Sequence, residues 1–205
     1  MMIVHHLNNS RSQRVLWLLE EVGAEYEIVR YRRDPRTMLA PLELRAVHPL
    51  GKAPVLEDDG QVFAETGAIV EHLAARFGAL VPPGPAERRQ ATYWLHFAEG
   101  SAMPPLLLKL YFSRMGEGAA PMAARADQQI GAILAFVSES LAATPFLAGE
   151  SLSVADIMMS FPLEAAVARG GASAFPGVMD YLARLHARPA YARALERGGP
   201  YELLA

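Results

Sequence analysis

The chain has 205 residues and 22.3 kDa, with 52% hydrophobic and 20% charged side chains, a balance that builds packed cores and gives length for one large domain or two small ones. Its net charge is −3 and neither half is basic, which argues against nucleic acid as a main partner. It contains no cysteine, so disulfides, thiolate zinc sites, iron–sulfur clusters and a cysteine nucleophile are excluded, and any thiol chemistry must use a thiol brought by a ligand.

In chain order, Met2–His6 reads as a strand. Ser10 opens a helical pattern carried by Val15, Leu16, Leu18, Leu19 and Val22 and stopped by Gly23, and Tyr26–Tyr31 reads as a second strand. Strand, helix and strand in about 30 residues predict a βαβ unit with a right-handed crossover. Arg36–Val47 is a weaker helical segment. Pro54–Glu57 and Gln61–Phe63 flank the turn Asp58-Asp59-Gly60, which predicts a hairpin. Glu65–Phe77 follows as a helix with Ile69, Val70, Leu73 and Phe77 on one face. Residues 78–85 form a linker, after which strand signals vanish. A helix opens at Pro85, with Pro104-Pro105 expected to kink or divide it. Ala119–Leu141, Ser153–Ala168, Phe175–His186 and a short helix near Ala190–Glu196 complete the pattern. The reading is a small βαβαββα domain over residues 1–80 joined to an all-helical domain over 85–205.

No apolar stretch reaches the roughly 18 residues of a membrane-spanning helix. The N-terminus lacks the basic and apolar regions of a signal peptide. A cytoplasmic protein without a membrane partner is the expectation. His5 and His6 are adjacent on a strand and point to opposite faces, so no metal site is expected from them.

Four segments carry chemistry. Asn8-Asn9-Ser10-Arg11-Ser12 lies where strand meets helix, a place for caps and also for an anion, because free N–H groups and the positive end of the dipole collect there. A hydroxyl at such a turn can donate to a thiolate. Lowering a thiol from a pKa of about 8.5 to about 7 takes roughly 2 kcal/mol, and one hydrogen bond to a charged group supplies about 1.5–3 kcal/mol. In His48-Pro49-Leu50-Gly51-Lys52-Ala53-Pro54-Val55, a proline enters a strand. A cis bond there would turn the Ala53 backbone outward to pair with an extended peptide-like ligand, and Lys52 would hold a carboxylate. Glu65-Thr66-Gly67 starts a helix. Glu65 suits an ammonium and Thr66 a carboxylate, the two ends of an amino acid. Ser153 and Asp156 have capping-box spacing, with Leu152 and Ile157 placed as a hydrophobic staple, so Asp156 is expected to be buried and structural.

These segments, in this order, resemble the cytosolic glutathione transferases over nearly the whole chain. The opening His5-His6-Leu7-Asn8-Asn9-Ser10-Arg11-Ser12-Gln13-Arg14-Val15 is similar to a bacterial and fungal, serine-type subgroup. The resemblance implies a thioredoxin-like N-terminal domain and an all-α C-terminal domain. It implies a hydroxyl or amide, from Ser10 or Asn9, that activates the glutathione sulfur, with Arg11 at the rim. Lys52 would hold the glycyl carboxylate, and Ala53, before a cis Pro54, the cysteinyl backbone. Glu65 and Thr66 would bind the γ-glutamyl end. A second-substrate pocket would use Met103, Leu107 and Tyr111, at spacing i, i+4, i+8. Glutathione is then a co-substrate, with no other cofactor, and a homodimer is the family's habit. The chain lacks the cysteine of thiol-transferase members, the Ser-Ser-Cys signature of the isomerases and the tyrosine of the tyrosine-type members. The implied activity is conjugation of glutathione to small electrophiles, with peroxide reduction by the same thiolate as a companion. The alternative is a glutathione-binding or interaction module with little turnover.

Overall fold

The protein is described here by a computed structural model, which covers residues 1–169 and 171–204. It forms two compact units. One comprises residues 1–79 with the chain from His186 onward, the other Leu80–Leu185.

In the first unit, β1 (Met2–Leu7), α1 (Ser12–Glu21) and β2 (Tyr26–Tyr31) form the expected βαβ. β1 and β2 are parallel, with Met2 opposite Tyr26 and Leu7 opposite Tyr31. A four-residue helix, α2 (Leu44–Val47), precedes β3 (Val55–Asp58) and β4 (Gln61–Ala64), and α3 (Thr66–Phe77) follows. The sheet order is β2-β1-β3-β4, with β3 antiparallel to both neighbours. The turn between β3 and β4 puts Asp59 and Gly60 at φ of 48° and 79°, the pair of left-handed residues that a two-residue hairpin needs. Val4, Leu7, Val15, Leu16, Leu19, Val55, Leu56, Ile69, Val70 and Leu73 make the core.

The helix expected over Arg36–Val47 is reduced to α2. Pro35 and Pro41 interrupt it, and the Asp34 carboxylate accepts from the N–H groups of Arg36 and Thr37, which closes a turn instead of a helix.

The last long helix, α9 (Pro189–Gly198), packs on α1. The sequence places α9 in the helical segment 85–205, and in space it belongs to the first compact unit. α1 is buried on both faces from Ser12 to Glu20, and α9 covers the second. Trp17 meets Tyr191 edge to face and donates from Nε1 to Glu21. Arg188 grips Glu21 with two hydrogen bonds of 2.6 and 2.8 Å. Arg193, Arg197 and the Tyr26 hydroxyl all donate to the Glu20 carboxylate. Burial pushes that carboxyl up, but the donors outweigh it and hold it below the usual range. A Cβ on Gly198 would lie 2.9 Å from Gln13 Oε1 and 3.0 Å from Leu16 Cδ1, so a larger residue there must displace those two side chains.

The second unit is helical: α4 (Pro85–Phe97), α5 (Met103–Phe112), α6 (Ala120–Ser140), α7 (Val154–Ala168) and most of α8 (Pro176–His186). Pro85 sits in the first turn of α4, as expected. Pro104-Pro105 does not itself mark the break. The five residues Ala98–Ala102 before it widen into a π turn in which Met103 N–H reaches Ala98 O. Proline supplies no N–H and its ring crowds the carbonyl four residues back, so the ladder loosens one turn early.

Ser153 caps α7 through both halves of the box. Asp156 is buried and accepts from Ser153 N (2.8 Å), Ser153 Oγ (3.0 Å), Leu147 N (3.0 Å) and Tyr181 Oη (2.6 Å).

Candidate active site

Topology alone assembles three of the four segments. His5 is opposite Val55, and Val55 is opposite Ala64. Because β3 runs against β1 and β4, the residues after β1, before β3 and after β4 all lie at one end of the sheet. They are Asn8–Ser12, Lys52–Pro54 and Glu65–Thr66. The N-termini of α1 and α3 are at this same end, which makes it favourable for anions.

The β1–α1 turn is held from several sides. Arg33 donates from its backbone N–H to Asn8 Oδ1, from Nε to Asn8 O and from Nη2 to Asn9 O. No sequence signal marked Arg33, which works through backbone carbonyls at a separation of some 25 positions. Asn9 takes φ of 52°, a left-handed conformation that asparagine tolerates better than most side chains. Its Oδ1 accepts from Glu202 N–H at 2.7 Å.

Ser10 is only 6% exposed. Its Oγ accepts from Ser12 N–H at 3.2 Å and lies 2.7 Å from Ser12 Oγ. Ser12 Oγ in turn lies 2.8 Å from His6 Nδ1 and accepts from Leu7 N–H at 3.2 Å. Burial lowers the His6 imidazole to about 4, nearby Arg30 adds to this, and a hydrogen bond to the Gly198 backbone opposes it. His6 is therefore neutral at pH 7. A ring that donates to the Gly198 carbonyl leaves Nδ1 as acceptor for Ser12, and Ser12 Oγ also reaches Leu7 O at 3.3 Å, so the Ser10 hydroxyl is held in a buried network with Ser12. The sequence drew attention to His6 only as a neighbour of His5. In the structure the two part company, since His5 bonds Tyr31 Oη and Glu57 Oε1.

The Ala53–Pro54 bond is cis. Ala53 is partly exposed, and its backbone makes no hydrogen bond to the described residues. Lys52 is exposed and forms no ion pair with the described residues. Thr66 is buried in the first turn of α3. Glu65, just before it, is exposed and takes φ of 67° with ψ of 123°. That region costs a non-glycine residue about 1–3 kcal/mol, and such strain collects at binding sites. Sequence alone gave no sign of it.

Met103, Leu107 and Tyr111 lie on α5 of the second unit and run from core to solvent. Met103 is 1% exposed and Tyr111 54%, with Leu107 between them. Met103 is thus a core residue. A small apolar cavity in that unit is lined by Ala102, Leu106, Ile130, Leu134, Pro162 and Ala166, and by none of these three.

A four-stranded mixed sheet with two helix N-termini at its ligand end, followed by a helical unit, is a thioredoxin-like domain with an all-α partner. Residues 1–75 match the family model of the glutathione S-transferase N-terminal domain, and 96–189 that of the C-terminal domain. Glutathione S-transferase 1 of Saccharomyces cerevisiae is 32% identical over 95% of this chain and 94% of its own length. A crystal structure of a glutathione S-transferase from Actinobacillus pleuropneumoniae superposes with TM-score 0.89, 34% identity and coverage of 100% and 96%. A glutathione transferase family member from Pseudomonas fluorescens, solved with two glutathione bound, gives TM-score 0.82 and 27% identity, covering 95% of this chain and 92% of that one. The chain belongs to the glutathione S-transferase family.

Proposed function

We propose that the chain binds glutathione across this end of the sheet, ionises its thiol at the Asn9–Ser10 turn and transfers it to a small electrophile. The observation that carries this is the convergence of the three segments through the pairings of β1, β3 and β4. In this reading the unpaired Ala53 backbone next to Pro54 pairs with the cysteinyl residue as an added strand. Lys52 holds the glycyl carboxylate. Glu65 accepts from the γ-glutamyl ammonium, and Thr66 donates to its carboxylate at the start of α3. The thiol gives its proton to water. The thiolate then forms the new sulfur–carbon bond as the leaving group departs with its electron pair. Ser153 and Asp156 stay structural. Glutathione is the co-substrate. The chain acts as a homodimer in the cytoplasm; among the described residues no helix is long and apolar enough to cross a membrane.

Glu65→Ala is expected to weaken glutathione binding at least tenfold, because a charge-assisted hydrogen bond of about 1.5–3 kcal/mol is lost. Glu65→Gly should bind as weakly yet be more stable than the alanine variant by about 1 kcal/mol, since glycine accepts the positive φ. Calorimetric titration and thermal melts check both. An unchanged dissociation constant for Glu65→Ala would remove the clamp. Turnover of a generic aryl halide above the uncatalysed rate separates the transferase from a module that only binds.

A further inference from the structure

One side chain holds two strained places of the first unit at once. Asn9 and Met38 take φ of 52° and 59°, and the carbonyls of both accept from the same guanidinium. Arg33 Nη2 donates to Asn9 O at 3.2 Å and Nη1 to Met38 O at 3.0 Å. Nε donates to Asn8 O at 3.2 Å, and the Arg33 N–H to Asn8 Oδ1 at 3.1 Å. A left-handed residue other than glycine is sterically costly and persists where its surroundings over-determine it. At Asn9 and Met38 that surrounding group is shared. Arg33 forms no ion pair with the described residues. Burial and then the charge of Arg11 disfavour its cation, so the guanidinium is kept here against an electrostatic cost and is spent on carbonyls. Met38 belongs to a loop closed on itself. Asp34 N–H donates to Leu39 O at 3.0 Å, Met38 N–H to Asp34 O at 2.8 Å, and the Asp34 carboxylate accepts from Thr37 N–H and Oγ1. A bond to Met38 O therefore locates residues 34–39 together. The guanidinium is planar and its donors form a fixed fork, so one rigid group sets the distance between the two segments.

We propose that Arg33 is a positioning residue for the transfer reaction. Its fork holds the left-handed turn at Asn9 and fastens the 34–39 loop beside it, so the thiol end of the site is preformed before glutathione arrives. This rests on the proposed glutathione site. It deepens that reading by naming what keeps the turn in one shape, whichever of its side chains faces the sulfur. None of the Arg33 hydrogen bonds reaches Lys52, Ala53, Glu65 or Thr66. Arg33 thus acts on the chemical step more than on the binding of glutathione.

The test uses the whole protein, with glutathione and an aryl halide as the probes. Arg33→Lys keeps the charge, but one ammonium nitrogen cannot take the places of Nε, Nη1 and Nη2 together. Arg33→Lys and Arg33→Met should both lower kcat per folded molecule by about tenfold or more, with the glutathione dissociation constant within about threefold of wild type. Amide exchange at Asn8, Arg33 and Met38, each N–H now bonded, should speed up together by about tenfold, while Val4 in β1 keeps its wild-type rate. Asn9→Gly relieves the strain that Arg33 otherwise holds, so it should raise Tm by about 2–4 °C more in the Arg33→Met background than in wild type. Arg33→Lys with wild-type kcat and exchange overturns the proposal, since charge alone would then suffice. Arg33→Met that lowers Tm and speeds exchange at Val4 as well, with kcat per folded molecule unchanged, overturns it in favour of a purely structural role. Wild-type protein that binds no glutathione overturns the site reading itself, and the role of Arg33 with it.

Discussion

Replacing Asp156 by alanine is expected to cost about 3–5 kcal/mol, among the largest losses any single substitution in this chain should produce. For a protein of this size that corresponds to a fall in Tm of roughly 10 °C. The carboxylate is fully buried and gathers four donors: two from Ser153, one from Leu147 and one from Tyr181. Alanine leaves all four without a partner in a place water does not reach, and each orphaned group costs about 1–3 kcal/mol. It also undoes the reciprocal half of the α7 cap. Asparagine should recover only part of the loss, because its Nδ2 would face N–H and O–H donors. Burial pushes the Asp156 carboxyl up, against the pull of Tyr181, Leu147 and Ser153. Thermal unfolding of the two variants checks this. A melting temperature within two or three degrees of wild type for the alanine variant would show that the box is dispensable. Protein that remains folded should bind glutathione as before.

His6 should make stability depend on pH. Its ordinary pKa is 6.5, and in the folded chain burial brings it to about 4, helped by the charge of Arg30 and opposed by the hydrogen bond to Gly198. Between those two values the unfolded chain takes up a proton that the folded chain refuses. Stability therefore falls as pH drops through this window, by up to about 3 kcal/mol. The groups facing the ring are Ser12 Oγ, the Gly198 backbone and, at longer range, Arg30. His6→Gln has nothing to protonate. The difference in unfolding free energy between wild type and variant should shrink steadily from pH 6.5 to pH 4 in denaturant titrations, with other titrating groups cancelling. Two curves that stay parallel across the window would mean that the ring is already solvated or charged.

The sequence reading and the structure agree most closely where local chemistry decides the outcome. The strand Tyr26–Tyr31, the Asp59-Gly60 turn, Pro85 opening α4 and the Ser153–Asp156 cap are each dictated by residues a few positions apart. The gathering of Asn9, Ala53 and Glu65 needed only the strand order, which the family resemblance supplied. What sequence did not show depends on long-range partners. The second burial of α1 comes from α9, through Arg188, Arg193 and Arg197 meeting Glu20 and Glu21. Periodicity cannot announce a helix that is covered on both sides. The backbone strain at Glu65 and the bond from Glu202 to Asn9 belong to the same class. Each is set by a neighbour far along the chain or by a backbone angle that carries no residue signature. The segment Arg36–Val47 erred for a different reason. Its helical pattern was weak, and Pro35, Pro41 and the Asp34 turn prevailed.

The central claim is that the turn after β1 ionises a thiol which the chain itself does not possess. Titrating the ultraviolet absorbance of the thiolate of bound glutathione against pH tests it most directly. The account predicts a midpoint near or below about 7, against about 8.5 for a free thiol. Bound glutathione that titrates where the free thiol does would contradict it.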